Sequence, residues 1–275
     1  MYGLIGQIKS RLQQWRGRPV PRVLGDIHNS IHAMPLPLLA SSKEPWKPNH
    51  FFCGLTPNQL ELSCHASALI QNHCPHPPHV HEEEELLFLL GGEVEITLPS
   101  MADSSQQHKR LQPGQFVYYP AMFPHTIRAV SDEPANYLMF KWSSDRLDTS
   151  AGTYKGYEQY QITSPEQEHP HVKGYFSELL FQAPTAHLDR LHCHMTRLAP
   201  GSGYPAHADH HDIAIVFLSG ECESLGQHVG PNSILFYAAG ESHGIKNIGT
   251  TDACYLVFEF HSHKSKSLWS RLFSS

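Results

Sequence analysis

The sequence predicts an all-β protein built from two tandem copies of a small barrel. Two observations carry this. Short apolar runs recur between Gly- and Pro-rich turns, the pattern of a β-barrel or sandwich. The two halves also repeat one unit: an apolar strand, a Pro/Gly turn, a histidine cluster, an apolar strand ending in glycine, a second strand pair and a late histidine. A repeat of this size implies duplication of a barrel.

Taken in order, Leu4, Ile5, Ile8, Leu12 and Trp15 recur at helical spacing with basic residues opposite. They predict a short amphipathic helix ending near Gly17-Arg18-Pro19. With the Pro-rich, polar stretch behind it, this forms an N-terminal helix and arm over residues 1–50. The first barrel is expected over 51–145, with strand-like runs at 60–70, 86–90, 94–98, 116–119 and 137–142. A polar linker follows over 146–174. The second barrel is expected over 175–263, with runs at 176–181, 191–198, 213–218, 234–237 and 255–260. A tail over 264–275 holds Leu268, Trp269, Leu272 and Phe273 at the spacing of a closing helical turn.

Composition bounds the function. The chain has 275 residues, 40% hydrophobic and 17% charged, with a net charge of −6. It is apolar enough to fold and not a disordered chain. No apolar run reaches the roughly 18 residues of a membrane span. The acidic balance and the lack of a helix-turn-helix pattern argue against nucleic acid as a partner. The six cysteines, Cys53, Cys64, Cys74, Cys193, Cys222 and Cys254, are scattered and form no Cys-x-x-Cys pair. They suggest free thiols, not a disulfide framework or a four-cysteine zinc site. With no secretory pattern at the N-terminus, the expected compartment is the cytoplasm. The outlier is histidine: 22, against 20 lysines and arginines together. Histidine is the commonest metal ligand and titrates near neutrality, so metal or proton chemistry is expected.

The first cluster reads His79-Val80-His81-Glu82-Glu83-Glu84-Glu85 and leads to Gly92. His79, His81 and Glu85 share parity and would face one side of a continuous strand. Two imidazoles and a carboxylate there suit a divalent metal. His125, after Gly114 and Pro120, is the candidate fourth ligand. Glu82, Glu83 and Glu84 read as a solvated face. His73, Cys74 and His76 read as pocket-rim residues. Phe88, Phe116, Tyr118 and Phe123 are candidate walls of an apolar cavity.

The spacing His-x-His-x3-Glu-x6-Gly, followed by Gly-x5-Pro-x4-His, resembles the two signature motifs of the cupin superfamily. The first motif matches at every position from His79 to Gly92. The second matches at Gly114, Pro120 and His125. It departs at Met122, where the family usually has glycine, and at Ala129, where it often has asparagine. The resemblance implies two tandem cupin barrels (double-stranded β-helix, jelly roll) behind a short N-terminal helix. It also implies a metal set of His79, His81, Glu85 and His125.

In the second copy His207 stands where the first has His79, Asp209 for His81 and Ile213 for Glu85. Its later motif runs from Asn232 to His243, with Ala238 for the proline, Gly240 intact and Asn247 at the late asparagine position. His207, Asp209 and His243 resemble the two-histidine, one-carboxylate triad of non-heme iron oxygenases. The 2-oxoglutarate-dependent members usually carry a basic residue some ten positions after the last histidine. None stands between Thr251 and Cys254, so use of that cosubstrate is not expected. His211 or Asp212 could also reach this site, and His192 and His194 could line its pocket. The alternative is a copy that has lost its metal and serves to stabilise the pair or bind a ligand.

The resemblance implies a metal-dependent enzyme acting on a small organic molecule. The first expectation is an oxygen-dependent oxidoreductase of dioxygenase type using Fe(II). The alternatives are a manganese- or zinc-dependent lyase, isomerase or hydrolase, or a two-barrel protein that binds a small molecule without turnover. Nickel would suit the ligand set as well. The expected partner is a small-molecule substrate, with a homodimer possible.

Overall fold

The computed structural model describes residues 25–99, 106–145, 147–148 and 158–262. The expected helix over Leu4 to Trp15 and the closing turn over Leu268 to Phe273 lie outside the described residues. Within them the chain is all strand and loop, with no α-helix.

The first half holds β1 (Ser30–Ala33), β2 (Trp46–Gly54), β3 (Glu61–Leu69), β4 (Glu84–Gly91), β5 (Val94–Pro99), β6 (Gln106–Leu111), β7 (Gln115–Tyr119), β8 (Thr126–Ala129) and β9 (Ala135–Ser143). The second half holds β10 (Glu158–Gln161), β11 (Tyr175–Ala183), β12 (Arg190–Leu198), β13 (Gly203–His207), β14 (Asp212–Ser219), β15 (Cys222–Ser224), β16 (Gln227–Val229), β17 (Ser233–Tyr237), β18 (His243–Asn247) and β19 (Ala253–His261). The first barrel pairs a sheet of order β10-β7-β4-β9-β3-β2 with a three-stranded sheet, β6-β5-β8. The second pairs β1-β17-β14-β19-β12-β11 with β13-β18-β15-β16. Among the described residues the named strands pair antiparallel throughout.

The two edge strands are exchanged. β1 precedes the first barrel in sequence but pairs with β17 of the second, Ser30 opposite Phe236 and Ala33 opposite Ser233. β10 precedes the second barrel but pairs with β7 of the first, Glu158 opposite Tyr118 and Gln161 opposite Gln115. Each arm covers a sheet edge that would otherwise expose unpaired backbone.

The larger sheets meet face to face. Leu62, Phe88, Phe116, Tyr118 and Phe140 of the first barrel share one core with Cys193, Val216, Phe236, Phe258 and Phe260 of the second. Phe116 meets Phe258 edge-on, with centroids 5.9 Å apart, and Trp142 meets Phe260 at 5.2 Å. Separate cores fill the barrel interiors, Leu87, Leu89, Val117, Tyr119 and Met139 in the first and Ile215, Leu235, Tyr237 and Val257 in the second. Strand β4 is therefore covered on both faces, which is why it reads as a continuous apolar run. This corrects the expected cavity wall: Phe88, Phe116 and Tyr118 point into the inter-barrel core, and of the four only Phe123 packs against the interior cluster.

A polar clamp joins the barrels at pseudo-equivalent places. Glu84 is fully buried and is not part of a solvated face. It accepts hydrogen bonds from Tyr118 Oη (2.6 Å), Trp142 Nε1 (2.8 Å), Thr185 Oγ1 (2.6 Å) and the Ala186 amide (2.9 Å). Asp212, one position before Ile213 as Glu84 is one before Glu85, accepts from Thr56 Oγ1 at 2.6 Å and the Ala239 amide at 2.9 Å. Asp212 thus faces the other barrel and not its own pocket. Among the described residues the six cysteines are free thiols, with Cys64, Cys193 and Cys222 buried and Cys254 half-buried.

Candidate metal centres

In the first barrel His79, His81 and His125 each offer a ring nitrogen within 4.8 Å of the others. They do not sit on one continuous strand. β4 begins only at Glu84, and His79 reaches the site through an isolated antiparallel bridge to His125, with amide-to-carbonyl bonds of 3.2 Å in both directions. Glu85 on β4 lies between the rings, its Oε2 3.1 Å from His81 Nε2 and its Oε1 3.6 Å from His125 Nε2.

The local backbone sets the ring tautomers. His81 Nδ1–H donates to the Glu83 carbonyl at 2.8 Å, and His125 Nδ1–H donates to the Phe123 carbonyl at 2.8 Å. Each Nε2 is left as a lone pair directed at Glu85, the tautomer that metal-bound histidines adopt. His125 Nε2 and His79 Nδ1 are buried without a hydrogen-bond partner. A set of three imidazole nitrogens and one carboxylate, with the unpartnered His125 Nε2 facing Glu85, fits a divalent first-row metal. The ring of Tyr119 stacks on His125 at 4.3 Å and holds its plane.

Sequence reasoning missed Lys141 on β9. Its Nζ lies 2.9 Å from Glu85 Oε2 and 3.5 Å from His81 Nε2. Burial opposes ionisation of Glu85, but the Lys141 ammonium, with the His125 and His81 rings close by, outweighs it and holds the carboxyl well below its usual range. Burial, followed by the neighbouring rings of His76, His125 and His81, pushes His79 down to about 4. Of the expected rim residues, His76 meets His79 edge-on at 3.9 Å, and Cys74 Sγ donates to the His76 carbonyl at 2.9 Å.

Met122 occupies the left-handed region at φ 62°, and Gly240 does the same in the second copy at φ 84°. That conformation explains why glycine is usual there. Asn247, where the first barrel has Ala129, is fully buried and its amide donates to the carbonyls of Leu198 and Thr251.

In the second barrel His207, Asp209 and His243 also converge. Asp209 Oδ2 lies 3.3 Å from His207 Nε2 and 3.2 Å from His243 Nε2. The tautomer device is repeated: His207 Nδ1–H donates to the Pro205 carbonyl at 3.0 Å and His243 Nδ1–H to the Glu241 carbonyl at 3.1 Å. Tyr237 stacks on His243 at 4.2 Å, as Tyr119 does on His125. Ile213 is apolar and buried where Glu85 stands in the first copy.

A cavity of about 470 Å³ opens in the second barrel and is lined by this triad together with His194, His211 and Glu259. Glu259 was not anticipated. It occupies on β19 the register position opposite Ile213, as Lys141 on β9 lies opposite Glu85. Burial opposes its ionisation, yet a hydrogen bond from His261 and the nearby His192, His211 and His194 bring it down to about 2. Burial pushes both His194 and His211 down to about 4.

Residues 68–141 match the family model described as Cupin domain. No curated protein matches the chain. Solved structures of oxalate decarboxylase align along nearly the whole length. A tryptophan-to-tyrosine variant of the Bacillus subtilis enzyme aligns at 13% identity and a TM-score of 0.59, covering 91% of this chain and 82% of that one. A structure of the same enzyme titled for its Mn(II) centres aligns at 13% identity and 0.56, with the same coverage. Another, titled for a structural element that modulates proton-coupled electron transfer, aligns at 14% and 0.57, again over 91% and 82%. At these identities the likeness is one of fold. No helix of the described residues is long and apolar enough to cross a membrane. Residues 68–141 thus match a cupin domain, and they lie in a two-barrel fold shared with the oxalate decarboxylase structures.

Proposed function

We propose that the chain is a metal-dependent enzyme acting on a small organic acid in the first barrel, with His79, His81, Glu85 and His125 as the metal ligands. The observation that carries the proposal is the convergence of three imidazoles and Glu85 beside the Lys141 ammonium. When bound, a divalent metal supplies open coordination positions and, if it is iron, electrons for oxygen chemistry. The chain's own residues do the rest. The carbonyls of Glu83 and Phe123 hold two of the ligand rings in one tautomer. Leu87, Leu89, Val117 and Met139 line an apolar interior, which strengthens charge pairing by excluding water. Lys141 is the cation positioned to pair with a substrate carboxylate.

The reaction proposed first is oxygen-dependent oxidation with Fe(II), of dioxygenase type. The iron-loaded chain should consume oxygen with members of a panel of small carboxylic acids and phenolics. Absence of uptake across the panel contradicts it. Lys141 favours a second reading, a manganese-dependent lyase that releases carbon dioxide from a small acid. The fold is shared with oxalate decarboxylase, one structure of which is titled for Mn(II) centres. Carbon dioxide release without net oxygen uptake, by the manganese-loaded chain, distinguishes it. The triad His207, Asp209 and His243 is proposed as a weaker metal site in the second barrel.

A further inference from the structure

Beyond the two motif-derived sites, the second barrel holds another convergence of ligand atoms, centred on Glu259. His192 and His194 lie on β12, Glu259 on the adjoining β19, and His211 on the segment leading into β14. His192, His194 and Glu259 each offer a ligand atom within 4.8 Å of the others. His211 Nε2 lies 3.5 Å from Glu259 Oε2, and His194 Nδ1 lies 3.9 Å from Glu259 Oε1. That His194 nitrogen is buried and has no hydrogen-bond partner. His192 Nδ1–H donates to Gln182 Oε1 at 2.7 Å, which leaves its Nε2 as the lone pair. His261 Nε2–H donates to Glu259 Oε2 at 2.7 Å, and the His261 ring stacks on His211 at 3.8 Å, so His261 orients both.

The relation to the first barrel gives this grouping its meaning. Cross-strand register sets Ile213 against Glu259 where the first barrel sets Glu85 against Lys141. The second barrel has lost the carboxylate on the β4-equivalent strand and carries one on the neighbouring strand instead. His192 lies opposite Glu259 on its other side. The opposite partner of Lys141 at that place is Ser63. The carboxylate and an added imidazole thus occur together.

We propose that His192, His194 and Glu259 form a divalent transition-metal site of two nitrogens and one oxygen, distinct from the His207, Asp209, His243 triad, with His211 held against the same carboxylate. Two imidazoles and a carboxylate select zinc, manganese, iron or cobalt over calcium and magnesium. His211 and His261 converge on the same carboxylate and orient it.

The test uses the full chain carrying His81→Ala with His125→Ala and His207→Ala with His243→Ala, which removes two ligands from each motif-derived site, titrated with Co2+ and Zn2+ by calorimetry and visible absorption. One equivalent should bind, with a Co2+ ligand-field spectrum and no thiolate charge-transfer band. Adding Glu259→Gln should weaken that binding by about 100-fold or more, as loss of the charged ligand predicts. His211→Asn, on a loop and outside the sheet ladder, should weaken it by about tenfold with the circular dichroism unchanged. A fourfold variant that binds no metal overturns the proposal. So does binding unchanged by both Glu259→Gln and His211→Asn.

Discussion

Glu85 on β4 and Lys141 on β9 are direct cross-strand partners, with Nζ 2.9 Å from Oε2. A fixed ammonium beside a candidate metal-binding carboxylate has two opposed consequences. It repels a metal cation, and it attracts an anionic substrate. Lys141→Met removes the charge and keeps most of the side-chain volume. Metal affinity should rise severalfold by calorimetry, while KM for an active carboxylic acid rises by about tenfold, roughly 1.4 kcal/mol of lost pairing. Unchanged KM would remove Lys141 from the substrate site.

Glu84, next to Glu85 in sequence, faces the other way and accepts hydrogen bonds from both barrels. Glu84→Gln replaces an acceptor-only group by one that must also donate, leaving buried donors unsatisfied. It should cost about 3 kcal/mol or more in a denaturant titration. The exposed Glu82→Gln should fall within about 0.5 kcal/mol of the parent.

Met122 holds a left-handed backbone with a side chain that disfavours it. Met122→Gly removes about 1 kcal/mol of strain, part of it offset by the greater freedom of an unfolded glycine. The thermal midpoint should rise by one to a few degrees or hold, on the order expected for such a change. A clear fall would show that the Met122 side chain contributes contacts that outweigh the strain.

Burial lowers His65 and His194 to about 4. Both must be neutral in the folded metal-free chain and can protonate on unfolding. Their contribution to stability is therefore present above the unfolded value near 6.5 and is lost as pH falls from there toward 4. Each should add roughly 1 kcal/mol per pH unit to the slope between about pH 6 and 5. Denaturant midpoints at pH 7, 6 and 5 in the presence of a chelator measure it. His65→Gln should flatten the slope by that amount.

The parts of the fold legible in sequence were those with local signals. Strands β4, β7, β14 and β17 are covered on both faces and declare themselves as apolar runs. Strands such as β6 and β16 are short and polar and carry no such signal. The exchanged arms β1 and β10 were illegible because their pairing is with the distant barrel. The grouping of His79, His81, Glu85 and His125 followed from motif spacing, although the parity argument assumed a strand that begins only at Glu84. Lys141 and Glu259 could not be found that way. Each enters its site through register with a strand more than 40 residues earlier in sequence. The outward turn of Glu84 followed the alternation of β4. A run of four glutamates hides it because composition does not distinguish the two faces.

The most direct test of the central claim is anomalous X-ray diffraction from crystals of the full chain grown with manganese and recorded near the metal edge. A peak enclosed by His79 and His81, Glu85 of β4, and His125 is the expected result. A well-ordered first barrel with no anomalous peak among those four residues would contradict it.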